Sequence, residues 1–464
     1  MICVRLERVR IPQLEVELDT LLSARALMGL SLFFHTIFTP LGIGIPLLLL
    51  IVEGLGLRRG GERYRRLARA WTPVAGLLFA VGAVSGTVLS FELGLLWPKF
   101  MAYAGGIIGM PFSLEGFAFF TEAIFLAIYI YGWDRLSPRA HWLCSIPLAI
   151  SACLSAILVI SANAWMNDPA GFDLVNGTVS NVDPWAAMFN RAWFHEALHG
   201  TLASYATAGF AVAGVYAVLM LRGHRDAQSQ LGLKVAMGMA ALALPFQVIS
   251  GDIASRAVAA DQPAKFAAME AQPETRAGAP LRIGGIPVGD ETKYAIEIPK
   301  MLSFLSYGNV NATVTGLDAF PPDRRPNEAT THLSFDIMVG SGTAMLLIGA
   351  MYWWAWWRRR AAFVPGPWLL RAIAAGGVLG FVAIEAGWFV TELGRQPWLV
   401  RGYFLTSQGV TDRSGIQVFF VLFTLLYTAI TIGLVTALVR WPRSPVEPQD
   451  SPTPDAGGAS HVVA

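Results

Sequence analysis

Long apolar runs separated by short polar turns set the rhythm of this chain. A hydrocarbon core of about 30 Å takes about 20 apolar helical residues to cross. Nine runs reach that length, at roughly 22–52, 72–97, 111–132, 142–165, 194–221, 232–251, 332–357, 367–392 and 414–440. The pattern predicts an all-α, polytopic membrane protein with nine transmembrane helices and no repeat of fixed period. The first run is too long for a cleavable signal peptide, and no small-residue cleavage site follows it. The expected organisation is an N-terminal extension (1–21), helices 1–6 (22–251), one long connection (252–331), helices 7–9 (332–441) and a tail (442–464). The tail is rich in Pro, Ser and Ala and is expected to be disordered and cytoplasmic.

Arginine placement orients these helices. Arg58, Arg59, Arg63, Arg65, Arg66 and Arg69 follow helix 1, and Arg358, Arg359 and Arg360 follow helix 7. Loops enriched in Lys and Arg stay on the cytoplasmic side. Arg135 and Arg139 after helix 3, and Arg222 and Arg225 after helix 5, fall on that same side. Nine spans then put the N-terminus outside, the C-terminus in the cytoplasm and the 252–331 connection outside.

Composition sharpens the class. The chain is 54% hydrophobic and 14% charged, with a mean hydropathy of +0.51, whereas soluble domains carry about 25% charged residues. A formal net charge of +2 gives no reason to expect a nucleic-acid partner. Three cysteines, Cys3, Cys144 and Cys153, have neither disulfide-framework nor metal-ligand spacing.

The informative residues are ionisable groups inside apolar runs, because such groups need a partner, a cofactor or a water-filled cavity. They are His35 in helix 1, His195 and His199 in helix 5, His332 at the start of helix 7, and Glu92, Glu115, Glu122, Glu385 and Glu392. His141 and His224 fall in or beside inner loops, and His461 in the tail. With the expected topology the interior set and Met338 gather in the outer half of the membrane, with His35 somewhat deeper. His, Met and carboxylate without a Cys pattern suit iron in a porphyrin better than zinc. A proton-coupled transporter accounts for these residues equally well.

Several strings go further. "GRQPW" (394–398), "EAGWF" (385–389), "ANAWMNDPAG" (162–171), "GWDRL" (132–136) and "QPAKFAAME" (262–270) resemble subunit I of the cytochrome bd quinol oxidases, from about Arg25 to the end of helix 9. The resemblance implies a haem-bearing terminal oxidase of the bacterial cytoplasmic membrane that oxidises ubiquinol or menaquinol and reduces dioxygen to water. It implies two b haems, one low-spin and one high-spin, with haem d or a third haem b. The implied partners are a second membrane subunit and, in some members, a small third one.

By the same resemblance His35 and Glu385 are the ligands of the oxygen-reducing haem pair, and His199 and Met338 those of the low-spin haem. His195 competes with His199 by pattern alone. Lys265 and Glu270 match the pair implicated in quinol oxidation, on a connection short enough for the short-loop, cyanide-insensitive-like branch. Glu115 and Glu122 resemble carboxylates of the proton route, Asn163 a residue near the haems, and Arg25 a helix 1 arginine. Glu392, Arg395 and Gln396 stand at the outer boundary, placed to bind haem propionates or order the quinol loop.

The sequence also departs from the family. Asp336 stands two residues before Met338, where many members carry arginine, and Glu115 and Glu122 are seven residues apart where eight are expected. Phe381 occupies a position where tryptophan also occurs. Asp336 keeps a second alternative open, a diverged haem electron carrier without oxygen reduction.

Overall fold

The computed structural model describes residues 12–289, 291–360, 363–413 and 415–440. Residues 442–464, where a disordered tail is expected, lie outside the described residues, as do Cys3 and His461. Among those described, nine helices are long and apolar enough to cross a membrane. They are α1 (Pro12–Arg59), α2 (Glu62–Leu96), α3 (Pro98–Tyr131), α4 (Pro138–Asn167), α5 (Trp193–Leu221), α6 (Ala227–Asp261), α7 (Glu328–Arg359), α8 (Pro367–Leu393) and α9 (Ile416–Arg440).

Most helices outrun the apolar stretches that announce them, because their ends are set by capping chemistry as well as by hydropathy. Proline, pre-set for a helical φ and without an N–H to satisfy, opens α3, α4 and α8 at the first helical position. Ser137 caps α4 by accepting from Ala140 N–H at 3.3 Å. Asp226 caps α6 through Gln228 and Ser229 N–H, and Asn327 caps α7 through Thr330 N–H. α6 runs on through Asp261 to a C-cap at Gln262, and Asn327 starts α7 at Glu328, so both helices extend into the connection expected at 252–331.

Two groups of helices share the core. One apolar cluster draws on α1–α4 with Ala208 of α5, Val235 and Met239 of α6, and Tyr427 and Leu434 of α9, and a second on α5–α8. Small residues let the helices approach closely. A β-carbon at Gly209 of α5 would meet the backbone and side chain of α6 at Ala236 and Ala240, and one at Gly376 of α8 would strike the Phe210 ring of α5. α9 lies on α1, where Tyr427 stacks on Phe34 at 4.3 Å.

The described residues of the long connection form short elements. They include the short helix Pro263–Met269, a ladder pairing Leu281–Ile283 with Ile296–Ile298, and within it a tighter hairpin of Ile286–Val288 with Glu291–Lys293. This region lies at one end of the bundle, called the loop side below. Toward the other end, His141 lies beside the loop that precedes α4, as expected. It is buried near the start of α4, with Nδ1 2.9 Å from Glu53 Oε1 and Nε2 2.9 Å from the Tyr129 carbonyl. It ties α4 to α1 and α3.

Candidate functional site

The expected interior ligands come from four helices. Packing brings two of them into one neighbourhood. On α1, Thr36 follows His35, and the Thr36 hydroxyl donates to Glu385 Oε1 of α8 at 2.8 Å. Residues 349 apart in sequence are thereby joined. On its other side His35 Nδ1 lies 2.9 Å from Ser85 Oγ of α2.

His199 of α5 meets α6 in a similar way, with Nδ1 3.1 Å from Ser250 Oγ and the Gln247 side-chain nitrogen 3.1 Å from Nε2. Its competitor His195 is buried with Nδ1 unpartnered. Met338 of α7 packs its sulfur on Gly387 of α8, where an added β-carbon would lie 3.1 Å away. Among the described residues no group of three or more His, Cys, Asp or Glu gathers to hold a bare metal ion. Ligand types that come singly suit a porphyrin, which brings its own four nitrogens and asks the protein only for axial ligands.

The loop-side end carries a dense polar network. Lys265 Nζ donates to Asn167 Oδ1 at 2.6 Å. Asn167 donates to Asn163 Oδ1 at 3.0 Å and to Glu196 Oε1 at 3.2 Å. Asn163 donates to Glu392 Oε1, and Arg395 Nη2 to Glu392 Oε2, both at 2.6 Å. Arg401 closes the rim by donating to the Asn167 carbonyl at 2.5 Å and to Asp168 Oδ1 at 3.0 Å. Arg395 is enclosed, yet its Nε and Nη1 have no partner. Buried guanidinium donors are ordinarily satisfied, and these two free ones can each donate to an acceptor such as a haem propionate oxygen.

Lys265 and Glu270 sit at opposite ends of the short helix Pro263–Met269, and both are buried. Among the described residues no ion pair joins them. Burial pushes the Lys265 ammonium well below its ordinary pKa, against the opposing pull of Glu196. Glu270 is pushed up to about 8, by burial first and then by the nearby charge of Asp336. Asp336 Oδ2 in turn lies 3.2 Å from His332 Nε2, and His332 Nδ1 lies 2.7 Å from the Met269 carbonyl. The departure at Asp336 is thus held beside His332 and Glu270.

Two further carboxylates face the α3–α4 side. Glu115 accepts from Ser155 at 2.8 Å. Glu122 is buried at the wall of a small cavity with Leu126, Leu148 and Pro46. Arg25 is not drawn into the network. It is exposed at the rim of a shallow pocket of about 240 Å³ shared with Arg324, Gln396 and Thr406.

Sequence reasoning passed over Glu196, Asn167, Ser85, Ser250 and Gln247. Glu196 carried a signal, a carboxylate inside "HEALH" at the head of an apolar run. The serines carried none, because hydroxyls in membrane helices commonly bond their own backbone.

A profile of the family described as cytochrome bd terminal oxidase subunit I matches residues 23–445. A Bacillus subtilis (strain 168) protein provisionally named cytochrome bd menaquinol oxidase subunit I is 36% identical over 436 residues, which are 92% of this chain and 97% of that protein. Cytochrome bd ubiquinol oxidase subunit 1 of the same organism is 31% identical over 442 residues, covering 91% and 93%. The solved structure of bd oxidase from Geobacillus thermodenitrificans superposes with a TM-score of 0.87 at 40% identity, over 92% of this chain and 99% of that one.

Proposed function

From the premise that this chain belongs to the cytochrome bd terminal oxidase subunit I family, we propose that its interior residues ligate three haems, and that quinol is oxidised at the loop side. The family makes it the haem-containing subunit I of a quinol:oxygen oxidoreductase in the bacterial cytoplasmic membrane, working with a second membrane subunit. The observation that carries the site assignment is the Thr36 to Glu385 hydrogen bond. It sets the two expected ligands of the oxygen site, His35 and Glu385, on facing helices.

When bound, the haems supply the electron transfer and oxygen reduction that side chains cannot perform. His199 and Met338 would hold the low-spin b haem, which would supply electron transfer. His35 and Glu385 would hold the other two, a high-spin b haem and a haem d or third haem b. Glu385 would be a hard anionic ligand whose charge the iron compensates, which answers the cost of a carboxylate in an apolar run. Arg395, held by Glu392 and Asn163, offers its free N–H groups to a propionate.

Lys265 and Glu270 act on the quinol, ubiquinol or menaquinol. Glu270 accepts a proton from a quinol hydroxyl, and Lys265, tied to Asn167, orients the other polar end. The loop side is the outer face, so the quinol protons leave there. Glu122 and Glu115 hold protons arriving from the cytoplasmic side, so charge separates without a pump. A small third subunit completes the complex in some family members.

The test is a reduced-minus-oxidised spectrum with quinol-driven oxygen uptake on the purified two-subunit complex, wild type beside Glu385→Ala. Loss of one high-spin haem signature and of oxygen uptake supports the reading. A variant with full haem content and full uptake removes Glu385 from the ligand set.

A further inference from the structure

The same local construction occurs twice, in the α1–α2 and α5–α6 helical hairpins. His35 on α1 leans on Ser85 of α2, and His199 on α5 leans on Ser250 of α6. The sequence separations are 50 and 51 residues. In each hairpin the serine is followed by glycine, in "VSGTV" (84–88) and "ISGDI" (249–253). A β-carbon added at Gly86 would lie 3.3 Å from His35 Cε1, and one at Gly251 would lie 3.3 Å from His199 Cε1. The edge of each imidazole therefore rests where any side chain larger than hydrogen would crowd it.

The serines are also committed in the same way. Ser85 donates to the Val81 carbonyl at 2.9 Å, and Ser250 to the Gln247 carbonyl at 2.9 Å. A hydroxyl has one proton and two lone pairs. A serine whose proton goes to the helix backbone accepts from Nδ1, which then carries the ring hydrogen and leaves Nε2 its lone pair. The Gln247 amide nitrogen lies 3.3 Å from His199 Nδ1 and 3.1 Å from Nε2, so it touches both ring nitrogens and the serine alone marks Nδ1 as the hydrogen-bearing one.

We propose that Ser85–Gly86 and Ser250–Gly251 are a duplicated histidine cradle, whose serines are positioning residues that fix the tautomer and ring orientation of two haem ligands. A ligating histidine generally donates its other ring N–H to a fixed acceptor, and loss of that acceptor costs about 10–100-fold in metal affinity or activity. The proposal rests on the reading of His35 and His199 as ligands. It goes beyond that reading by assigning a matched outer partner to each, and by giving His199 a feature that His195, with Nδ1 unpartnered, lacks.

The experiment compares Ser85→Ala, Ser250→Ala and the hydroxyl-retaining Ser85→Thr and Ser250→Thr in the assembled oxidase, with His35→Ala and His199→Ala alongside. Haem content, absorption bands and a redox titration are read on each. Ser250→Ala is expected to shift only the low-spin haem. An Nδ1–H donated to an acceptor makes the imidazole a stronger donor that favours ferric iron, so its loss raises the midpoint potential. A tenfold change in the ferric preference appears as a shift of about 59 mV for one electron. Ser85→Ala is expected to act only on the high-spin haem held by His35, and the threonine variants to restore wild-type behaviour. Alanine variants with wild-type bands, potentials and haem content, beside histidine variants that have lost a haem, would overturn the cradle and leave the ligands standing. Histidine variants that keep every haem would overturn the premise and the proposal together.

Discussion

The interior of the bundle and its loop-side boundary handle polar groups in opposite ways. Inside, His35, His199, Glu385 and Met338 come from different helices, and each is steadied by one or two neighbours on facing helices. At the boundary, Lys265, Asn167, Asn163, Glu196, Glu392 and Arg395 are bonded to one another in a continuous network. Interior groups held by one edge remain available to a ligand, whereas boundary groups neutralise each other. Arg395 is where the two regimes meet, paired through Nη2 and open at Nε and Nη1.

Arg395 offers the strongest way to break this comparison after loss of a ligand. Arg395→Leu strands Glu392 without its counter-charge. Breaking a wholly buried pair costs about 3–5 kcal/mol, and because Glu392 is 28% exposed the expected loss is smaller, about 2 kcal/mol. Thermal unfolding in detergent measures it. Arg395→Leu combined with Glu392→Leu should recover most of that stability but not full haem content. Full haem in the double variant would show that Arg395 serves only to neutralise Glu392.

A smaller effect tests the loop side by pH. Burial and the charge of Asp336 hold Glu270 as the neutral acid until pH rises through about 8. Only the carboxylate can accept a proton from quinol, so the quinol oxidation rate should climb across that window. Glu270→Gln should lose the climb along with most of the rate. A rate that falls through the window, or a limb unchanged in Glu270→Gln, would count against Glu270 as the base. The smallest effect expected is that of Asp336→Asn. Removing a negative neighbour lets Glu270 ionise earlier, so the limb should move to lower pH by less than about one unit. A limb that moves upward would show that Asp336 acts otherwise.

The nine helices were legible because each is announced by an apolar run, and their true ends were not, because Pro98, Asp226 and Asn327 set those ends through capping. His35, His199, Met338 and Glu385 could be named as candidate ligands from motifs. That Glu385 meets Thr36 could not be read, since the meeting depends on how α8 packs against α1. That Lys265 and Glu270 are both buried, with Lys265 turned to Asn167, could not be read either, since it depends on how the short helix Pro263–Met269 packs. Ser85 and Ser250 stayed hidden because a serine bonding its own helix looks the same in sequence whether or not a histidine leans on it.

The central claim is that a carboxylate kept inside the bundle is there for iron. Its most direct measurement is the dithionite-reduced minus air-oxidised spectrum of the two-subunit complex, wild type against Glu385→Ala, with quinol-driven oxygen consumption on the same samples. The account predicts that the variant loses a high-spin haem signature and its oxygen uptake while the low-spin bands of the His199 and Met338 haem persist. Unchanged high-spin bands and undiminished uptake in Glu385→Ala would contradict it.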